Sequence, residues 1–401
     1  MIQEIRIQNF KSIQKLKIPL GRFNVLIGEN GSGKSNLLEA VAMGAAAAAN
    51  KLDNEFLASR GIRVIEPPLM RSAFEKENLE RDVEISFLCD ETPFNYVLKH
   101  NNISYSGWEK SKRIDKFVLL AALSPIKSDI EAFTENLNQN SFTEVIKNIS
   151  QKMKNVNFEN SDNFDIVKWL SEANESAAQY FGIDKFLIYS PENSILRRFE
   201  DETQIEPLGI QGEGLFKLIT IIAREKPEQF AKIKAALKLI DWFQDFDIPR
   251  DLVFTEKRLQ IKDRYLDPDL QYFSQRSANE GFLFLLFYIT LFVSDYTPTF
   301  FAIDNIDNAL NPKLCQKLTS VLARLAKEHN KQVIVTTHNP AILDGLDLND
   351  EEQRLFVVRR NADGHTKLKR IRPIPTPEGK NPIRLSEAFL NGFIGGLPKN
   401  F

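Results

Sequence analysis

The residues that could do chemistry in this sequence lie in three short stretches. The first is GENGSGKS, residues 28–35, which matches the pattern G-x-x-x-x-G-K-[ST] at every fixed position. Glycines at this spacing let backbone N–H groups turn inward around phosphates, so Asn30, Gly31, Ser32 and Gly33 form a candidate anion cradle, continued by Asn36 on the segment that follows. The amine of Lys34 should meet the β- and γ-phosphates of a nucleotide, and the Ser35 hydroxyl should hold Mg²⁺. The second stretch is TFFAIDNIDNALNP, residues 299–312, where an apolar run ends on Asp304. A carboxylate at the C-terminal end of a buried strand projects into the crevice where phosphates bind, which makes Asp304 the second Mg²⁺ partner. The third is VTTHNP, which sets His338 at the end of another apolar run, where an imidazole can sense a terminal phosphate.

Such groups need a parallel sheet beneath them, and the pattern supplies one. RFNVLIGEN reads as a strand and GKSNLLEAVAMGAAAAAN as a helix, Leu/Ala-rich with no internal proline. Residues 299–337 read as strand, helix and strand, the parallel-sheet unit, with PKLCQKLTSVLARLAKEHN as the crossover helix. EIRIQNFKSI, RDVEISFLC and LVFTEKRLQIKDR add further strands, and QRLFVVRRNADGHTKLKRIRPI reads as a hairpin around Asp363 and Gly364. From about 112 to 245 the pattern is mostly helical, and EQFAKIKAALKLIDWF puts Phe230, Ile233, Leu237 and Ile240 on one face. The organisation expected is an α/β body with a mixed sheet, built from 1–111 and 246–401, carrying a helical insertion at 112–245 for dimerisation or partner binding.

Composition narrows the classes. With Lys plus Arg at 52 and Asp plus Glu at 54, the net charge of −2 excludes a surface coated uniformly in positive charge, though not a local basic face. Only two cysteines, Cys89 and Cys315, and four histidines occur, in no metal-ligand spacing, which fits a reducing cytoplasmic setting. The start MIQEIRIQNF lacks a signal-peptide pattern, and the longest apolar run, residues 282–293, falls short of the roughly 20 residues a spanning helix needs, so no membrane role is expected.

The order of motifs resembles a family. An N-terminal phosphate loop, a long insertion, a signature segment, an Asp-ended strand, a D-loop and a histidine are similar to the ABC-type P-loop ATPase heads of the SMC, RecF and OLD (overcoming lysogenization defect) kind, among them the compact OLD-like ATPases of bacterial anti-phage defence loci. The resemblance implies ATP and Mg²⁺ as ligands and a homodimer or higher oligomer joined through ATP-bridged heads. In that reading SANEGFLFLLF, residues 277–287, is the signature that reaches a partner's γ-phosphate, through Ser277 or Asn279 as donor and Gly281 at the helix start. NALNP, residues 308–312, takes the D-loop position, while YSPENSILRRF, with Arg197 and Arg198, and IQGEG, with Gln211, compete for the Q-loop.

The family's general base is the glutamate directly after the Mg²⁺-binding aspartate, and here that residue is Asn305. A neutral amide cannot take a proton from water, although its carbonyl can orient one. The implied catalytic set is therefore Asp304, Asn305 and His338, with slow hydrolysis; Asp307 is the nearest spare carboxylate, two residues further on and expected to point elsewhere. OLD nucleases carry a nuclease domain after the ATPase, but residues 339–401 are too few for an ordinary domain, so a separately encoded effector, often a nuclease, is implied as the partner. The tail LSEAFLNGFIGGLPKNF either docks that partner or packs back on the sheet. Seven basic residues between 354 and 372 against the single acid Asp363 leave a DNA contact open, and the alternative function is a RecF/SMC-like ATP-dependent clamp on DNA.

Overall fold

A computed structural model describes residues 1–90, 92–103, 106–111, 178–199, 207–249, 258–270, 272–374 and 383–397. Two sheets enclose one helix. The first is antiparallel, in the order β2 (Ile13–Pro19), β1 (Ile2–Phe10), β4 (Val83–Cys89), β5 (Thr92–Lys99), β6 (Glu109–Lys110). The second is mixed, in the order β13 (Thr366–Ile371), β12 (Gln353–Arg360), β3 (Phe23–Ile27), β11 (Gln332–Thr337), β10 (Phe300–Ile303), β7 (Ile188–Tyr189). Strands β12, β3, β11, β10 and β7 run parallel, and β13 turns back antiparallel. A short hairpin, β8 (Phe243–Asp247) and β9 (Gln260–Asp263), stands apart from both.

Helix α1 (Lys34–Ala48) lies between the sheets and is buried along nearly its whole length. Its alanine run follows from this position, since a helix pressed on both sides has no room for larger side chains. Ile5, Ile7, Val41, Ile85 and Phe87 belong to the core on this side. The other face of the mixed sheet carries a second core built from α4 (Asn193–Arg198), α5 (Leu215–Glu225), α6 (Pro227–Leu237), α7 (Glu280–Val293) and α8 (Pro312–Glu328), with α2 (Asn54–Ser59) and α3 (Pro67–Met70) on the first side and α9 (Leu385–Leu390) near the end. Every residue of α7 from Phe282 to Val293 is buried, so the longest apolar run is a core helix, and no described helix is long and apolar enough to cross a membrane.

The described residues bear on two expectations. Much of the insertion assigned to 112–245 lies outside the described residues, but its described part belongs to the α/β body: Ile188 and Tyr189 pair with Ala302 and Ile303 at the sheet edge. Helices α5 and α6 share the α7 core, with Ile233, Leu237 and Ile240 buried and Phe230 packed against them. Helical periodicity could not reveal β7, because a two-residue strand has no period to read. The tail packs back in part, since Ala388, Phe389 and Ile394 join the α7 core, while Leu390 and Phe393 stay exposed at 61% and 67%.

Candidate functional site

The parallel strands deliver their C-terminal ends to one rim, where α/β sheets place ligands. Ile27, Thr337 and Val357 lie side by side in register, so Gly28 and His338 emerge together beside Val358, where β12 runs on to Arg360. The phosphate loop leaves β3 at Gly28 and enters α1 at Lys34. Gly33 takes a left-handed conformation, φ 103°, that glycine alone adopts cheaply. A Cβ on Gly28 would come within 2.1 Å of the Val358 carbonyl, so the loop is pressed against its neighbours.

Lys34 is buried, and its amine donates to the carbonyls of Gly28, at 2.8 Å, and Glu29, at 3.0 Å. Burial pulls its pKa down to about 8, opposed by the charges of Asp304, Asp307 and Glu29. The Ser35 hydroxyl donates to Asp304 Oδ2 at 2.9 Å. A hydroxyl and a carboxylate brought together across 269 residues of sequence are hard oxygen donors suited to Mg²⁺, which takes few protein ligands and completes its shell with phosphate and water. The buried Ser32 hydroxyl has no partner among the described residues, as suits a loop made to receive an external acceptor. The residues present thus fit a Mg²⁺–nucleotide.

Asp304 is fixed from two directions: its N–H donates to the Tyr189 carbonyl at 2.8 Å, and Thr336 Oγ1 donates to its Oδ1. Asn305 has φ 53°, a left-handed conformation that asparagine tolerates better than most residues, and its N–H donates to Thr336 Oγ1 at 2.9 Å. Asp307, expected to point elsewhere, turns back to the end of β11, where Oδ1 accepts from Thr337 Oγ1 at 2.6 Å and from the His338 N–H at 3.4 Å. Burial and then the Lys34 ammonium lower the pKa of His338, while Asp307, Asp304 and a hydrogen bond to the Gly28 backbone raise it. Lys34, Ser35, Asp304, Asp307 and His338 therefore share one electrostatic site. Thr336 and Thr337 are the members that sequence reading missed. Two hydroxyls ending the otherwise apolar run QVIVTT are the signal that could have found them.

The signature residues lie elsewhere. Asn279 caps α7, its Oδ1 accepting from the Phe282 N–H at 2.9 Å, and the Ser277 N–H donates to the Ser274 carbonyl. Gly281 faces Ala309 and Leu310 of the D-loop segment. Arg197, one of the Q-loop candidates, donates to the carbonyls of Arg276 and Ala278 and braces the signature turn. The two Q-loop stretches meet at one place beyond β7, where the Glu192 N–H donates to the Gln211 carbonyl and Gln211 Nε2 donates to Glu192 Oε1, both at 2.8 Å. The Asn36 side chain is held by Ser12 and Arg63.

One pH dependence follows from Lys34. Its folded-state pKa of about 8 lies below the ordinary 10.5, so the cost of burying its charge is present below about pH 8 and is relieved as pH rises toward 10.5. Phosphates favour the ammonium, so binding takes up a proton above pH 8. ATP affinity is expected to be flat below that pH and to fall by up to about tenfold per pH unit above it. Titrations from pH 7 to 9.5 check this, and Lys34→Arg should remove the step.

A solved Smc head bound to the C-winged helix domain of ScpA superposes with a TM-score of 0.53 at 16% identity, covering 92% of this chain and 98% of that one. The SMC head domain from Thermotoga maritima gives 0.45 at 12% identity, with 92% and 98% covered. The first likeness is one of fold: a mixed α/β architecture resembling an SMC, ABC-type ATPase head. An uncharacterized protein of Methanocaldococcus jannaschii, MJECL10, is 33% identical over 113 residues, which take in 27% of this chain and only half of that protein. The profile of one family spans residues 23–344, from the strand before the phosphate loop to beyond His338, and by that match the chain belongs to the AAA_21 family of P-loop ATPase domains, described as "AAA domain, putative AbiEii toxin, Type IV TA system".

Proposed function

We propose that this chain is an ATP-binding, slowly hydrolysing ATPase subunit that assembles through its nucleotide sites and controls a separately encoded effector in bacterial anti-phage defence. The observation that carries the reading is the contact between Ser35 and Asp304, with Lys34 beside it and an amide, Asn305, where the base would stand. Mg²⁺ held there would neutralise charge on the transferring phosphoryl group. The remaining work falls to Lys34, the loop N–H groups and the ordered Asp304 carboxylate.

The signature turn is tied through Arg197 to the helix that follows β7, the edge strand opposite β13, and there it offers a helix N-terminus to an anion. That supports closure of two copies, each supplying Ser277, Asn279 and Gly281 to the other's ATP. The defence role rests on the family description, "putative AbiEii toxin, Type IV TA system". The test is ATP turnover by the purified chain with Mg²⁺, beside Lys34→Ala, with molar mass measured with and without ATP. Turnover of tens per second, or a monomer at saturating ATP, would overturn the reading.

A second reading, an ATP-dependent grip on duplex DNA, is favoured by one surface. Arg359, Lys367 and Lys369 share a face of the β12–β13 hairpin, with Arg359 directly across from Lys367. Such a like-charge pair is destabilising unless an anion lies over it. Arg370 lies on the other face and is paired with Glu351 at 2.6 Å. Changing Arg359, Lys367 and Lys369 to glutamine is expected to weaken DNA binding and to reduce its salt slope by about 2–3; unchanged binding removes this surface from the reading.

A further inference from the structure

Behind the phosphate loop runs a line of hydrogen bonds whose two central residues, Ser12 and Thr366, lie outside the family span of 23–344. Thr366 Oγ1 lies 3.0 Å from the Ser32 carbonyl and 2.7 Å from Ser12 Oγ. Asn36 Nδ2 lies 2.7 Å from the same Ser12 oxygen, and Arg63 Nη2 lies 3.3 Å from Asn36 Oδ1. The backbone joins in, since the Thr366 N–H donates to the Ser12 carbonyl at 2.8 Å. Ser12, Ser32 and Thr366 are all buried, so solvent does not compete for the contacts among these three.

Counting protons fixes the direction. A carbonyl only accepts, so Thr366 must donate its one hydroxyl proton to Ser32. Ser12 must then donate to Thr366, and its lone pairs are left for the Asn36 amide, which can only donate through its nitrogen. The chain reads Arg63 to Asn36 to Ser12 to Thr366 to the Ser32 carbonyl, with a single arrangement of protons. The loop is seated against these hydroxyls: a Cβ on Gly33 would come within 2.0 Å of Thr366 Oγ1 and 2.8 Å of Ser12 Oγ.

We infer that Thr366, with Ser12 behind it, is a positioning residue of the nucleotide site. It holds the Ser32 carbonyl on the far side of the loop. The peptide after Ser32 is planar, so holding its carbonyl outward turns the Gly33 N–H inward, toward the phosphates. Without that anchor the peptide is free to rotate and to offer a carbonyl to an anion. The inference ties the C-terminal hairpin to ATP binding, and it rests on the reading of this chain as an ATP-binding protein.

The test compares ATP affinity, measured by titration, for the native chain, Thr366→Val, Thr366→Ser, Ser12→Ala and Lys34→Ala, with the melting temperature of each without nucleotide. Thr366→Val keeps the shape and removes the hydroxyl, and should weaken ATP about tenfold, the scale of one lost buried hydrogen bond. Thr366→Ser should restore affinity to within about twofold of native, since serine keeps the donor. Ser12→Ala should weaken ATP about threefold, and it decides the matter if Thr366→Val does not fold. A merely structural role would lower the melting temperature of Thr366→Val and leave its ATP affinity unchanged, which overturns the inference, as would a serine variant as weak as the valine one. If the native chain binds ATP no better than Lys34→Ala, it is the ATP reading that fails.

Discussion

Asn305→Glu is expected to raise ATP turnover about 10²-fold over the native chain, the lower end of what a positioned general base contributes. The position is prepared for it: the Asn305 N–H is tied to Thr336 Oγ1, and Asp304, one residue earlier, is anchored by Tyr189 and Thr336. A glutamate there would accept the proton of the attacking water, which an amide cannot. The gain has a structural cost. At φ 53° asparagine is tolerated, whereas glutamate should lose about 1 kcal/mol, about 1 °C of melting temperature in a chain of this size. A variant that binds ATP with native affinity, melts slightly earlier and turns over no faster would show that the missing carboxylate is not what limits the reaction. Attention would then pass to Asp307, whose charge already reaches Lys34 and His338.

Lys34→Ala is expected to weaken ATP binding by about 10²-fold or more and to abolish turnover, since a buried ammonium meeting phosphate is a charge-assisted contact and nothing else described replaces it. The same substitution should leave the unliganded protein as stable as before or slightly more so. Burial holds the Lys34 pKa near 8, so at neutral pH the fold carries an ion it has desolvated for function. The two effects separate in one thermal series. ATP at 100 times its Kd should stabilise the native chain by about 2.7 kcal/mol and the variant hardly at all. A variant that loses stability without nucleotide while keeping the ATP-dependent shift would mean that Lys34 is a structural prop for Gly28 and Glu29.

The sequence by itself determined the phosphate loop, the strands that carry Asp304 and His338, and the α/β class. Each is a local property, a glycine spacing or an apolar run of characteristic period, and needs no partner to be recognised. It also located the crossover helix at PKLCQKLTSVLARLAKEHN, whose start is a matter of local cap chemistry: Asn311 Oδ1 accepts from the Leu314 N–H at 2.9 Å. Tertiary structure decided the rest. Only the pairing of β7 with β10 assigns Ile188 and Tyr189 to the sheet, because two residues carry no period. Asp307 could be judged only once β11 was laid beside β10, since the direction of a side chain beyond a strand end depends on the turn and not on its distance in sequence from Asp304. Ser12 and Thr366 stand 354 residues apart, and no local pattern relates two hydroxyls that meet only when the first hairpin and the last are folded onto the same loop.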